Sequence, residues 1–91
     1  MSVKEYLIFI DSYIKGDIPS RKFSLQFMRE FKAETQVLPE KVYFVLEGVF
    51  EAADAFDPIG LPNKEKYHRL NENEFRAEVA NLFKELESVT N

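Results

Sequence analysis

The sequence predicts an all-α protein: an antiparallel four-helix bundle formed by a single domain spanning residues 1–91. Three observations carry that expectation. Apolar residues recur at steps of three and four in four separate stretches, and no stretch of useful length alternates polar with apolar as a half-buried strand would. Residues that start and stop helices stand at the ends of those stretches. The links joining the first three are short, which sets successive helices side by side and antiparallel.

The composition can support such a bundle. A chain of this size buries roughly 60% of the surface its unfolded form exposes, and 45% hydrophobic content with nine phenylalanines can fill a core. No cysteine is present, so neither a disulfide framework nor a thiolate metal site is available, and a reducing cytoplasm suits the chain. Asp11 and Lys15 interrupt the first apolar run, which does not read as a signal peptide. No run approaches the ~18 apolar residues of a membrane span. The expectation is a cytoplasmic domain without membrane contact.

The first helix opens on a capping box, Ser2-Val3-Lys4-Glu5, whose two polar side chains satisfy free backbone N–H groups. Val3, Tyr6, Leu7, Ile10, Tyr13 and Ile14 follow at helical spacing, Ile8 and Phe9 widen the stripe, and Gly16 supplies the stop. In the turn Asp17-Ile18-Pro19-Ser20, Ser20 is the expected N-cap of the second helix. That helix should bury Phe23, Ser24, Phe27, Met28 and Phe31, with Arg21, Lys22, Arg29, Glu30 and Lys32 facing water. A short link from Glu34 to Leu38 leads to Pro39, suited to the first turn of the third helix.

The third helix, Glu40 to the Asp57-Pro58 step, organises the rest. At about 100° per residue, Val42, Val45, Leu46, Val49, Ala52, Ala53 and Phe56 gather on one side. Glu40, Glu47, Glu51 and Asp54 gather on the other, flanked by Tyr43, Phe44 and Phe50. A loop of about a dozen residues follows, long for a bundle, so it is either functional or packs across the bundle end. Asn71 and Glu74 form a second capping box for the fourth helix, whose face is Phe75, Val79, Leu82, Phe83, Leu86 and Val89.

Charge is unevenly placed. From Val42 to Asn63 there is no Lys or Arg, while Glu47, Glu51, Asp54 and Asp57 are present. Those four account for the whole net charge of −4, since the remaining twelve acids balance the twelve bases. Phosphates need a basic footprint, so nucleic acid is not expected as a direct partner. A single-sign patch steers a basic partner instead.

Catalytic equipment is missing. His68 is a lone histidine beside Arg69 in the loop, there is no cysteine nucleophile, and three glycines make no phosphate-cradling loop. Glu47, Glu51 and Asp54 at i, i+4 and i+7 invite comparison with bundle metal sites, but such ligands point inward and cooperate with a Glu-x-x-His pair, which this chain lacks. No metal, cofactor or catalytic residue is expected. The row can be read as an ordinary solvated face or as a binding face. Two facts favour binding: Glu47 and Glu51 are like charges at i,i+4 and repel, and aromatic rings such as those flanking the row are enriched at interfaces.

The segment Phe50-Glu51-Ala52-Ala53-Asp54-Ala55-Phe56-Asp57-Pro58 resembles the hallmark of the colicin D immunity protein family, which includes immunity proteins of contact-dependent inhibition systems and carries Ala-Ala-acid-x-Phe-acid-Pro here. Tyr67, Glu78-Val79 and the apolar spacing through Leu82 and Leu86 are similar to the family's final helix, so the resemblance runs from Leu46 to Leu86. It implies a partner: a cognate toxin nuclease domain that cleaves transfer RNA near the anticodon, its basic cleft covered by carboxylates that take the place of substrate phosphates. By residue correspondence Asp54 and Asp57 are the family's acids, and Glu47 matches an acid further up the helix. Glu51 has no counterpart, and Ile59-Gly60 stand where the family has another acid.

The expected function is therefore an immunity protein, monomeric before it meets its toxin. The expected toxin-binding residues are Glu47, Phe50, Glu51, Asp54, Asp57 and Tyr67. The alternative is a regulatory or scaffold module that docks another basic protein through the same face.

Overall fold

The computed structural model describes residues 1–57 and 69–90. Four helices account for most of them: α1 Val3–Ile14, α2 Ser20–Lys32, α3 Glu40–Ala55 and α4 Glu72–Thr90. They form the expected all-α four-helix bundle. α3 packs against both α2 and α4, and α4 also packs against α1. Ring contacts close the circle between α1 and α2, where Phe9 meets Phe23 at 5.0 Å and Tyr6 meets Phe27 at 5.9 Å.

Both capping boxes are present. In α1 the Glu5 amide donates to Ser2 Oγ at 3.1 Å, and the Ser2 amide donates to Glu5 Oε1 at 2.7 Å. In α4 the Asn71 and Glu74 amides make the same reciprocal pair at 2.9 and 2.8 Å. Gly16 ends α1 with a φ of +91°, a left-handed conformation that disfavours any side chain.

Two helix ends depart from expectation. Ser20 is the first helical residue and Pro19 holds the cap position without a side-chain bond. The reason is that the buried Ser20 hydroxyl has other partners: its Oγ donates to Glu72 Oε1 at 2.6 Å and lies 2.6 Å from the Tyr13 hydroxyl. A serine has one proton to give, so Tyr13 is the donor in that second contact. The α3 helix stops at Ala55, two residues before Asp57. Phe56 turns extended and forms an isolated parallel bridge with Leu70, in which the Leu70 amide donates to the Ala55 carbonyl and the Asp57 amide to the Leu70 carbonyl, both at 2.8 Å.

The core is unusually aromatic. Rings touch in an unbroken series from Phe56 to Phe75 (4.6 Å, stacked), on to Tyr13 and Phe23 (4.3 Å, stacked), then Phe27 and Phe31. Val42, Val45, Leu46, Val49, Ala52 and Ala53 are buried, as the periodicity of α3 predicts. Phe9 joins the core against Phe23 of α2, but Ile8 is 58% exposed and widens no stripe. Gly48 sits where α3 crosses α4: a Cβ there would come within 3.1 Å of the Leu82 side chain. This approach lets the two helices pack closely.

Candidate functional site

With one side of α3 committed to the core, the other is fixed in solvent. Glu40, Glu51 and Asp54 are exposed and Glu47 is half-buried. Among the described residues no ion pair or hydrogen bond engages the side chains of Glu47, Glu51 or Asp54. Their repulsion is uncompensated in a second way. Asp54 lies in the last turn of α3, which contains no base, and a carboxylate there opposes the negative end of the helix dipole.

Phe44, expected on the flank of the acidic row, belongs in the row itself. Phe44 is 60% exposed and stands at i+4 from Glu40 and i−3 from Glu47, on the same stripe as the acids. The spacing 40, 44, 47, 51, 54 was the available signal, obscured because an aromatic ring at helical spacing usually reads as core.

Phe50 takes a different position. It is half-buried at the wall of a surface groove of about 650 Å³ between α2 and α3, lined also by Phe31, Lys32, Tyr43, Glu47 and Glu51. Phe31 contacts Tyr43 at 5.4 Å and Phe50 at 5.7 Å. The Lys32 ammonium lies over the Phe50 ring, 5.7 Å from its centroid. On the other flank of the row Glu51 and Glu78 border a notch of about 230 Å³ between α3 and α4. Glu51 is thus the crest between two concavities.

Asp57 does not share the outer face. Its side chain is 4% exposed and its carboxylate lies 3.7 Å from the Arg69 guanidinium. Because the helix has ended at Ala55, Asp57 follows the bridge to Leu70 instead of the helical stripe. Tyr67, Pro58 and His68 lie outside the described residues.

A further carboxylate of interest, Glu34, lies in the link between α2 and α3. It is 8% exposed and accepts from the Met1 ammonium (2.8 Å), the Tyr6 hydroxyl (2.6 Å) and the Gln36 amide (3.1 Å). The ammonium and then the hydroxyl, donating to its charged form, hold Glu34 down to about 2. Burial foremost, with the bond to Glu34, pushes the Tyr6 hydroxyl above its ordinary range. This cluster ties the start of α1 to the end of α2, and it anchors the strip of chain bordering the groove.

Against known proteins, the family described as bacterial self-protective colicin-like immunity matches residues 1–86. The chain belongs to that family. The match covers α1 and α2 as well as the stretch from Leu46 to Leu86 that carries the hallmark residues. No curated protein and no solved structure matches. Membership makes this a toxin-inhibiting immunity protein whose partner is a cognate toxin, in a family that is in general non-enzymatic. Among the described residues no helix is long and apolar enough to cross a membrane, and no group of three His, Cys, Asp or Glu side chains could hold a metal ion.

Proposed function

We propose that this immunity protein inhibits a toxin nuclease that cleaves transfer RNA, by laying the outer face of α3 across the toxin's basic active-site cleft. Glu47, Glu51 and Asp54 stand where substrate phosphates would lie and pair with the Lys or Arg residues that hold them, through charge-assisted hydrogen bonds. Phe44 and Phe50 supply the apolar contact that distinguishes one basic cleft from another. Asp57 acts at one remove, holding the exit of α3 through Arg69, and Tyr67 is a contact close by in sequence. The protein waits in the cytoplasm as a monomer and binds no nucleic acid itself.

The observation that carries this reading is the unrelieved row of carboxylates. A helix selected for stability alone would mix signs along its outer face and place a base in its last turn. Here Glu47 and Glu51 repel at i,i+4 and Asp54 opposes the dipole, with no ion pair among the described residues to offset either. A basic partner removes both penalties. Long-range attraction also speeds association, which matters when one toxin molecule can kill.

The test is growth of cells that express the toxin encoded beside this protein. The unmutated chain should protect, and Glu51→Lys with Asp54→Lys should not, although the variant folds. Full protection by the variant would refute the acidic-face mechanism.

A further inference from the structure

We infer that the groove between α2 and α3 is a receptor for one cationic side chain of the toxin, which lies on the Phe50 ring in the place Lys32 now holds. This rests on the acidic-face reading above and assigns part of that face a specific occupant.

Three features point to a cation. Phe31, Tyr43 and Phe50 form a contiguous aromatic surface, each 5.4–5.7 Å from its neighbour, and Phe27 backs Phe31 at 5.9 Å in a near-parallel stack. The aromatic floor of the site is therefore built on the core. The rim carries Glu47 and Glu51, neither engaged by any partner among the described residues, so the groove presents negative charge beside π-faces. Glu34, the third acid at the rim, is already saturated by Met1, Tyr6 and Gln36. Finally, the chain's own Lys32 ammonium occupies the Phe50 face at 5.7 Å. Lys32 is exposed on the last turn of α2 and its flexible stem can swing away. It serves as an internal stand-in for the incoming group.

A guanidinium suits this position better than an ammonium. It is planar, stacks on rings and pairs with a carboxylate through two parallel bonds. An arginine of the toxin would lie flat on Phe50 and reach Glu47 or Glu51 with its edge. Displaced Lys32 would return to water.

The test begins with the full chain and N-acetyl-arginine amide, followed by heteronuclear NMR. Shifts are expected at Phe31, Lys32, Glu47, Phe50 and Glu51, and none of comparable size with neutral N-acetyl-glutamine amide. Lys32→Gln vacates the ring, and affinity for the arginine probe should rise by about twofold to fivefold, the size of an exposed cation–π contact. Lys22→Gln, which removes the same charge at the opposite end of α2, should give a smaller gain. Phe50→Leu keeps an apolar side chain but no π-face and should lower affinity. Equal shifts with both probes, or equal gains from Lys32→Gln and Lys22→Gln, would overturn the proposal. With the toxin itself the two readings separate. If Glu51→Lys with Asp54→Lys protects fully, the acidic-face mechanism fails. If that variant fails to protect while Phe50→Leu binds toxin as the unmutated chain does, the face stands and the cation receptor is wrong.

Discussion

Arg69 reaches to within 3.7 Å of Asp57 at the exit of α3, and this pair turns the segment's last carboxylate inward, away from the row formed by Glu47, Glu51 and Asp54. Two acids three residues apart, in one short motif, therefore stand in different surroundings, Asp54 in solvent and Asp57 buried. Asp57→Asn should lower stability, because it weakens a charge-assisted contact at a buried position, and should reduce toxin affinity only as far as the helix exit loosens. Urea unfolding together with affinity for the toxin distinguishes this from a direct contact, which would lose affinity at unchanged stability.

Asp54→Asn should do the reverse. Removing a carboxylate from the last turn of α3 relieves its opposition to the helix dipole, a gain of about 0.3–1 kcal/mol. In a domain this small, each kcal/mol raises Tm by about 4–8 °C. The variant should melt slightly higher than the unmutated protein and bind toxin less tightly. A stabilising change that impairs binding is the mark of a residue kept for function.

Phe44 gives an uncharged test of the same face. Its ring is mostly in water, so Phe44→Ala should leave stability within about 0.5 kcal/mol. A ring of this kind at the centre of an interface is worth about 2 kcal/mol or more when truncated. Isothermal titration with the toxin domain, beside a thermal melt of the free variant, reads both numbers.

Glu34 sets an acid limb on stability. Its folded-state value is depressed from 4.5 to about 2, so its contribution is fully present above pH 4.5 and is lost as pH falls through 4.5 toward 2. Glu34→Gln should flatten the pH dependence of unfolding free energy across that window and leave Tyr6 with a weaker acceptor. Urea titrations at a series of pH values check the slope.

Much of this was legible in the sequence, for identifiable reasons. Helix periodicity placed Val42, Val45, Leu46 and Val49 in the core because burial repeats with the helix, and reciprocal caps announced the starts of α1 and α4 locally. What escaped depended on contacts distant in sequence. Ser20 leaves its cap role because Tyr13 and Glu72 offer its hydroxyl other partners. The helix ends at Ala55 because Leu70 offers a bridge. Glu34 lies between Met1 and Tyr6, which no local pattern could foretell. At the site, charge asymmetry and spacing brought out Glu47, Glu51 and Asp54. The inward turn of Asp57 required the bridge to Leu70, and the groove behind Phe50 required the packing of α2 against α3.

The measurement that bears most directly on the acidic face is the Kd of the isolated toxin domain for the unmutated protein and for Glu51→Lys with Asp54→Lys, each at low and high salt. The unmutated protein should bind tightly and weaken as salt rises, because exposed charge pairs are screened. The variant should lose at least about a hundredfold in affinity, the scale of losing paired charges at an interface, while its melting curve stays that of a folded protein. An unchanged Kd in the variant, with no response to salt in either protein, would contradict the account.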